Sequence, residues 1–192
     1  ESAVALVSGG SCYTYIDLKR AAMTVAREIV EAGAQPGDVV GLLAANSLYW
    51  AAAYLAIMKV GCVALPLNPA SMPDELSTLV EFTGCRVMCL QRRHQRRFSD
   101  ALPAHMGLLN DDLPGWSSTD EELWDSLPDL ESVEQDAALM LTSGTTTSPR
   151  LVRVTHKNIQ ANTESIIAYL GLTETERMMV ALPFYYCFGT SL

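Results

Sequence analysis

The 192-residue chain is 49% hydrophobic and carries 13 Lys and Arg against 22 Asp and Glu, a formal net charge of −9. That apolar share can bury a sizeable core and excludes a disordered chain, while the acidic balance argues against a nucleic-acid partner, whose phosphates demand a basic surface. The longest apolar run, residues 50–67, is broken by Lys59 and Gly61 and reads as a helix followed by a strand, so no membrane span is expected.

A strand is expected at residues 3–7. Thr14, with Asp17 three residues on, makes a capping box for a helix whose apolar stripe is Leu18, Ala21, Ala22, Val25 and Ile29 and whose stop is Gly33. Residues 39–44 then read as a buried strand, 47–60 as a helix, 62–67 as a strand, Pro73–Thr83 as a helix opening on its proline, 86–90 as a strand and 106–109 as a short strand. Strands separated by helices of this length need crossover connections, so the fold class expected is α/β, a mainly parallel sheet flanked by helices.

Two charge clusters break the pattern. Arg92, Arg93, Arg96 and Arg97, with His94 between them, read as a solvated helix face or loop and carry no assigned function. Between Asp111 and Asp136 stand ten acidic residues and no Lys or Arg, which reads as a solvated connection over about 110–136 with one short helix near residues 121–127. The five cysteines, Cys12, Cys62, Cys85, Cys89 and Cys187, form no C-x-x-C pair and have no histidine at zinc-ligand spacing. No metal site is expected, and buried small residues in a reducing cytoplasm are the plainer reading.

The most informative stretch is residues 142–150, T-S-G-T-T-T-S-P-R, with hydroxyl residues at six of nine positions. It lies between a buried-strand pattern at 137–141 and an alternating one at Leu151–Thr155, so it should join two strands. Short hydroxyl donors, Gly144 able to adopt φ > 0 and the cation Arg150 are what a phosphate grip requires. Neither a Walker loop nor G-x-G-x-x-G nor G-x-S-x-G is present. On chemistry alone an ordinary Ser/Thr-rich turn remains the alternative. Downstream, residues 159–170 read as a helix entered through 156–158 and ended by Gly171, and 178–182 as a strand leading to Tyr185, Tyr186 and Phe188. Those aromatics either pack or line a ligand site, because open α/β sheets bind ligands past their strand ends.

Residues 142–158, read as T-S-G-T-T-T-S-P-R-L-V-R-V-T-H-K-N, resemble the signature loop of the adenylate-forming (AMP-binding) superfamily, whose pattern is close to T-S-G-[ST]-T-G-x-P-K-G-V followed by a Ser/Thr-His-x-Asn helix start. The superfamily includes acyl-CoA synthetases, peptide-synthetase adenylation domains and luciferases. Further blocks follow in family order: Gly37-Asp38-Val39-Val40, Asn46-Ser47, residues 59–69 as K-V-G-C-V-A-L-P-L-N-P, and residues 182–189 as L-P-F-Y-Y-C-F-G. The resemblance implies the amino-terminal subdomain of the acetyl-CoA synthetase-like fold, with residues 1–192 forming the amino-terminal part of a ligase domain and the carboxy-terminal domain absent.

The resemblance further implies a reaction in two half-steps. A small carboxylic acid attacks the α-phosphate of ATP, held with Mg2+, releasing pyrophosphate and leaving an acyl-adenylate. A thiol, that of coenzyme A or of the phosphopantetheine on an acyl-carrier domain, then takes the acyl group. An acyl-CoA ligase is the leading expectation; an amino-acid-activating adenylation domain, a non-catalytic nucleotide-binding relative and a pure interaction domain are the alternatives. Position by position, Thr142, Ser143, Gly144, Thr145 and Thr146 would cradle the β- and γ-phosphates, Arg150 would stand for the family's lysine, and Tyr186 would lie beside the substrate carboxylate. Thr147 replaces the family's second glycine and Leu151 the glycine after the lysine, so the loop departs from the pattern at two places. Nothing in the chain matches the family's magnesium-binding glutamate, ribose-binding aspartate, hinge or catalytic lysine. The isolated chain is therefore expected to be unable to complete adenylation, and a cytoplasmic location is expected.

Overall fold

At the amino end two glycines decide the first element. Gly9 (φ 58°) and Gly10 (φ 81°) make the two-residue turn between β1 (Val4–Ser8) and β2 (Ser11–Thr14), an antiparallel hairpin. Only one strand was expected here, although Gly-Gly between two short runs is a hairpin signal. Thr14 then closes β2 and caps α1 (Tyr15–Glu31): its backbone N–H donates to Asp17 Oδ2 at 2.8 Å, and the Asp17 N–H returns a bond to Thr14 Oγ1 at 3.2 Å. The Thr14 hydroxyl, which donates to Asp17 Oδ2 at 2.6 Å, and then the Thr14 backbone N–H hold the Asp17 carboxyl below its ordinary pKa. The computed structural model describes residues 3–112, 118–127, 132–142 and 150–186.

The remaining strands form one sheet. They are β3 (Val39–Leu43), β4 (Val63–Pro66), β5 (Val87–Leu90), β6 (Gly107–Leu109), β7 (Asp136–Leu141) and β8 (Leu151–Thr155), in the spatial order β6-β5-β3-β4-β7-β8. The first five of these strands are parallel, and β8 adds antiparallel to β7 at the edge. Between them run α2 (Leu48–Lys59), α3 (Pro73–Thr83), α4 (Arg92–Phe98) and α5 (Ser118–Ser126), with α6 (His156–Leu170) after β8. The expected mainly parallel α/β sheet is thus the observed one.

Side-chain alternation along β3 sorts the helices onto the two faces. Val40, Leu42 and Ala44 pack with Val25 and Ile29 of α1 and Trp50, Ala53 and Ile57 of α2, whereas Leu43 joins Leu76, Leu79 and Val80 of α3 and Phe98 of α4. Val40 and Leu42 are fully buried, the continuous burial that a parallel strand covered on both faces requires. Among the described residues no helix is long and apolar enough to cross a membrane.

Gly61 turns the end of α2 into β4. Its φ of +75° lies in the left-handed region, and a Cβ there would stand 3.2 Å from Pro36 Cβ. Its carbonyl also accepts the Gly37 N–H at 2.7 Å, tying the two entry loops of β3 and β4 together. Gly61→Ala is therefore expected to cost about 1–2 kcal/mol, read as a lower urea midpoint with an unchanged slope; an unmoved midpoint would contradict this account.

Several expectations need correction. Residues 178–182 form no strand; they run outside the sheet, where no described strand pairs with them. The helix expected from residue 159 begins at His156, because Thr155 caps it and the Asn158 side chain reaches back to the Thr155 N–H at 3.0 Å. The acidic connection is not wholly solvated: α5 packs on α1 with Asp120 1% exposed. Cys12 is exposed, while Cys62, Cys85 and Cys89 are buried and free. Burial pushes these three thiols up to about 12, about 11 and about 12 respectively, which keeps them protonated and inert. Cys187 and Phe188 lie outside the described residues.

Candidate functional site

Strand order creates the site. The chain leaves β3 through α2 to reach β4 on one side, then leaves β4 through α3 and crosses to β5 on the other side of β3. Because α2 and α3 cover opposite faces, the loops after β3 and β4 part from each other, and a crevice opens at the carboxyl ends of these strands. An open cleft of 360 Å³ lies there. Ala45 and Asn46 line it from the end of β3, Asn68, Pro69 and Ala70 from the end of β4, and Ala181, Pro183 and Tyr185 from the segment after α6.

The β4 wall is held from behind by an arginine. Arg97 donates through Nη1 to the Pro69 carbonyl at 3.1 Å and through Nη2 to those of Ala70 and Ser71 at 3.2 and 2.8 Å, with its guanidinium 5.1 Å from the Phe98 ring centre. A rigid planar fork suits three converging carbonyls better than a lysine would. Arg97 thus differs from the free solvated face expected of its cluster, while Arg92 pairs with Asp112 at the surface. On the same loop Asn68 Oδ1 accepts the Ala70 N–H at 2.8 Å, which shapes the turn.

The opposite wall is held by Asn46. Its Nδ2 donates to the Leu182 carbonyl at 2.9 Å and its Oδ1 accepts the Phe184 N–H at 2.8 Å. The Phe184 ring rests on Trp50 of α2 with centroids 4.8 Å apart, and Trp50 in turn stacks on Tyr54 at 5.0 Å. Beyond Phe184, Tyr185 and Tyr186 lie with ring centroids 4.6 Å apart. Partial burial, then the charge and hydrogen bond of Tyr186, raises the Tyr185 pKa above its ordinary value, so the Tyr185 phenol stays a neutral donor at physiological pH. Tyr186, the expected carboxylate neighbour, is 49% exposed and does not itself line the cleft, which it meets only through Tyr185.

The expected phosphate loop follows β7 at the same carboxyl end of the parallel strands. Strand β7 lies parallel to β4 through the pair Ala64↔Ala138, and pairs antiparallel with β8 as far as Leu141↔Leu151. Past that pair the Thr142 N–H and hydroxyl both donate to the Arg150 carbonyl, at 3.1 and 3.2 Å. Thr142 and Arg150 therefore form the neck of the loop, and the loop joins two strands as expected. Ser143, Gly144, Thr145, Thr146 and Thr147 lie outside the described residues. Arg150 is exposed, and its guanidinium meets no carboxylate in any ion pair among the described residues.

Chemically, a small-residue cleft with the Asn46 amide and the Tyr185 phenol at its rim opens at the same end of the sheet as the neck formed by Thr142 and the cation Arg150. Such a pairing suits an anionic ligand joined to an apolar one. Among the described residues no group of three His, Cys, Asp or Glu could hold a metal ion. Asn46 stood in a family block and Arg97 in a charge cluster, but neither role was legible locally, because their partners lie 136 to 138 and 26 to 28 positions away.

Comparison with known proteins gives the family and the fold. The family described as AMP-binding enzyme matches residues 1–192. The chain is 30% identical over 98% of its length to a naringenin synthase of Pestalotiopsis fici, of which it spans 8%. It is 28% identical over 95% of its length to the acyl-CoA ligase sidI of Aspergillus fumigatus, of which it spans 35%. Among solved structures, the AMPPNP-bound form of the nonribosomal peptide synthetase FmoA3 superposes with a TM-score of 0.83 at 24% identity, over 96% of this chain and 19% of that one. The chain thus spans about a third or less of the length of these relatives.

Proposed function

Because the chain belongs to the AMP-binding enzyme family, we propose that it supplies the phosphate-loop part of an ATP-dependent, AMP-forming acid–thiol ligase, acting as an acyl-CoA ligase. The observation that supports this reading is the pairing of Thr142 with Arg150 past the end of β7, the strand next to β4, so the two ends of the T-S-G-T-T-T-S-P-R stretch stand at the end of the sheet where the cleft opens. The nucleophile belongs to the carboxylate substrate, so this chain's work in the first half-step is positioning and charge stabilisation. Hydroxyl and backbone donors from Ser143, Gly144, Thr145, Thr146 and Thr147 hold the β- and γ-phosphates of Mg-ATP, while Thr142, whose own donors go to the Arg150 carbonyl, closes the loop beneath them. Arg150 takes up the negative charge that grows on the departing pyrophosphate. Tyr186, with Tyr185 beside it, orients the carboxylate at the cleft mouth. The acyl-adenylate then passes its acyl group to the thiol of coenzyme A, releasing AMP.

Three buried free thiols support a reducing compartment, the cytoplasm. The test is carboxylate-dependent exchange of radiolabelled pyrophosphate into ATP by the intact protein, across a panel of simple carboxylic acids and amino acids. Exchange with a non-amino carboxylate, followed by thioester formation on adding coenzyme A, is the expected result. Exchange with amino acids alone makes it an adenylation domain, and silence across the panel overturns the ligase reading.

A further inference from the structure

From the ligase reading of the same cleft, we infer that Asn46 is a positioning residue for the carboxylate substrate. Its carboxamide fixes the segment carrying Tyr185 and Tyr186 across the cleft mouth. The amide imitates a neighbouring strand, giving one bond to the Leu182 carbonyl (2.9 Å) and taking one from the Phe184 N–H (2.8 Å), so a single side chain sets the register of residues 182–184. Nothing in the sheet does this in its place, because residues 178–186 join no described strand.

Asn46 is itself held from both sides. The Ala45 N–H donates to Gln91 Oε1 at 3.2 Å, and Ser47 caps α2 by accepting the Trp50 N–H at 3.1 Å while its own hydroxyl donates to the Ala45 carbonyl at 3.0 Å. The carboxamide therefore projects from a braced corner between β3 and α2. The Phe184 ring, on the residue whose N–H is latched, rests on Trp50 and brings the segment down onto α2. Tyr185 then lines the cleft directly, with Tyr186 packed against it. The latch acts on the carboxylate side alone: the loop neck at Thr142 and Arg150 is held by its own hydrogen bonds and by β7–β8 pairing, in which Asn46 takes no part.

The consequence is a split between substrates. In pyrophosphate exchange by the intact protein, Asn46→Ala is expected to lower kcat/KM for the carboxylate by about tenfold, the scale of a lost positioning hydrogen bond, while the KM for ATP stays unchanged. Asn46→Asp keeps an acceptor for the Phe184 N–H but turns an anion towards the Leu182 carbonyl, so it should fall between the wild type and Asn46→Ala; it also serves as the test should Asn46→Ala not fold. Amide hydrogen exchange should show the Phe184 N–H deprotected in Asn46→Ala and still protected in Asn46→Asp.

Wild-type exchange with an unmoved carboxylate kcat/KM in Asn46→Ala overturns the positioning role and leaves the ligase reading standing. A parallel rise in the ATP KM, or continued protection of the Phe184 amide in Asn46→Ala, also overturns it. Silence from the wild type overturns the ligase reading and the positioning role together.

Discussion

Arg150→Ala in the intact protein is expected to lower the rate of adenylation by about 10- to 1,000-fold, the range found when one preorganised charge-stabilising contact is removed from a developing anion. The geometry makes this substitution a clean one. Arg150 is fixed in the neck through its carbonyl, which accepts both the N–H and the hydroxyl of Thr142, so removing the side chain leaves those two bonds in place. Its guanidinium is exposed and enters no ion pair among the described residues, so stability should stay within about 0.5 kcal/mol of the wild type. The loss should therefore appear in the rate and not in the melting curve.

Arg150→Lys separates charge from shape at the same place. A lysine restores the positive charge as a point and not as a fork, and stands where the family pattern carries its own cation. It should recover most of the rate if the phosphate needs charge alone, and little if bidentate contact matters. High salt should weaken the wild-type advantage, since an exposed cation is screened. An unchanged rate in Arg150→Ala would remove this residue from the site and leave the loop hydroxyls to hold the triphosphate by themselves.

What could be read from the letters depended on how far apart the interacting groups are in the chain. Thr14 and Asp17 satisfy each other within one turn, so the start of α1 is legible from four consecutive residues. Alternation in β3 tells which side chains share a face, because that depends only on the pleat. It does not tell that β7 lies beside β4 and not beside β6, which is decided by packing across the whole sheet. The cleft follows from that order, so the motif was legible and its neighbourhood was not. Thr142 and Arg150 were recognisable as loop ends because apolar runs flank them, whereas Asn46 stood in the Asn46-Ser47 block with no role that its neighbours could show. Residues 178–182 show the converse failure: an apolar run is a strand only if another strand offers it hydrogen bonds. The acidic segment misled for a related reason, since charge density says nothing about which carboxylate has a partner.

That partner gives Asp120→Ala a large expected loss of stability, about 2–3 kcal/mol. Asp120 is 1% exposed and receives the Arg27 Nε at 2.6 Å, which ties α5 to α1 across 93 positions of sequence. Burial alone would lower the Arg27 pKa, yet the hydrogen bond and charge of Asp120, with Glu31 beside it, leave it raised. Removing the carboxylate strands a partly buried guanidinium with Glu31 at 3.3 Å as its remaining ion-pair partner. The Arg27 side chain is 26% exposed and can recover some water, which places the loss below the figure for a wholly enclosed pair. The helix does not detach completely, because Trp124 and Leu127 still pack on the main core and Lys59 Nζ still reaches the Leu127 carbonyl at 3.3 Å. Replacing both partners, as Arg27→Met with Asp120→Leu, should restore most of the lost stability, since two apolar groups leave no buried charge unpaired. A urea midpoint unmoved by Asp120→Ala would mean that the Trp124 and Lys59 contacts hold α5 unaided. The cleft is built from the ends of β3 and β4 and from residues 181–185, so the carboxylate KM should not move in this variant, in contrast to Asn46→Ala.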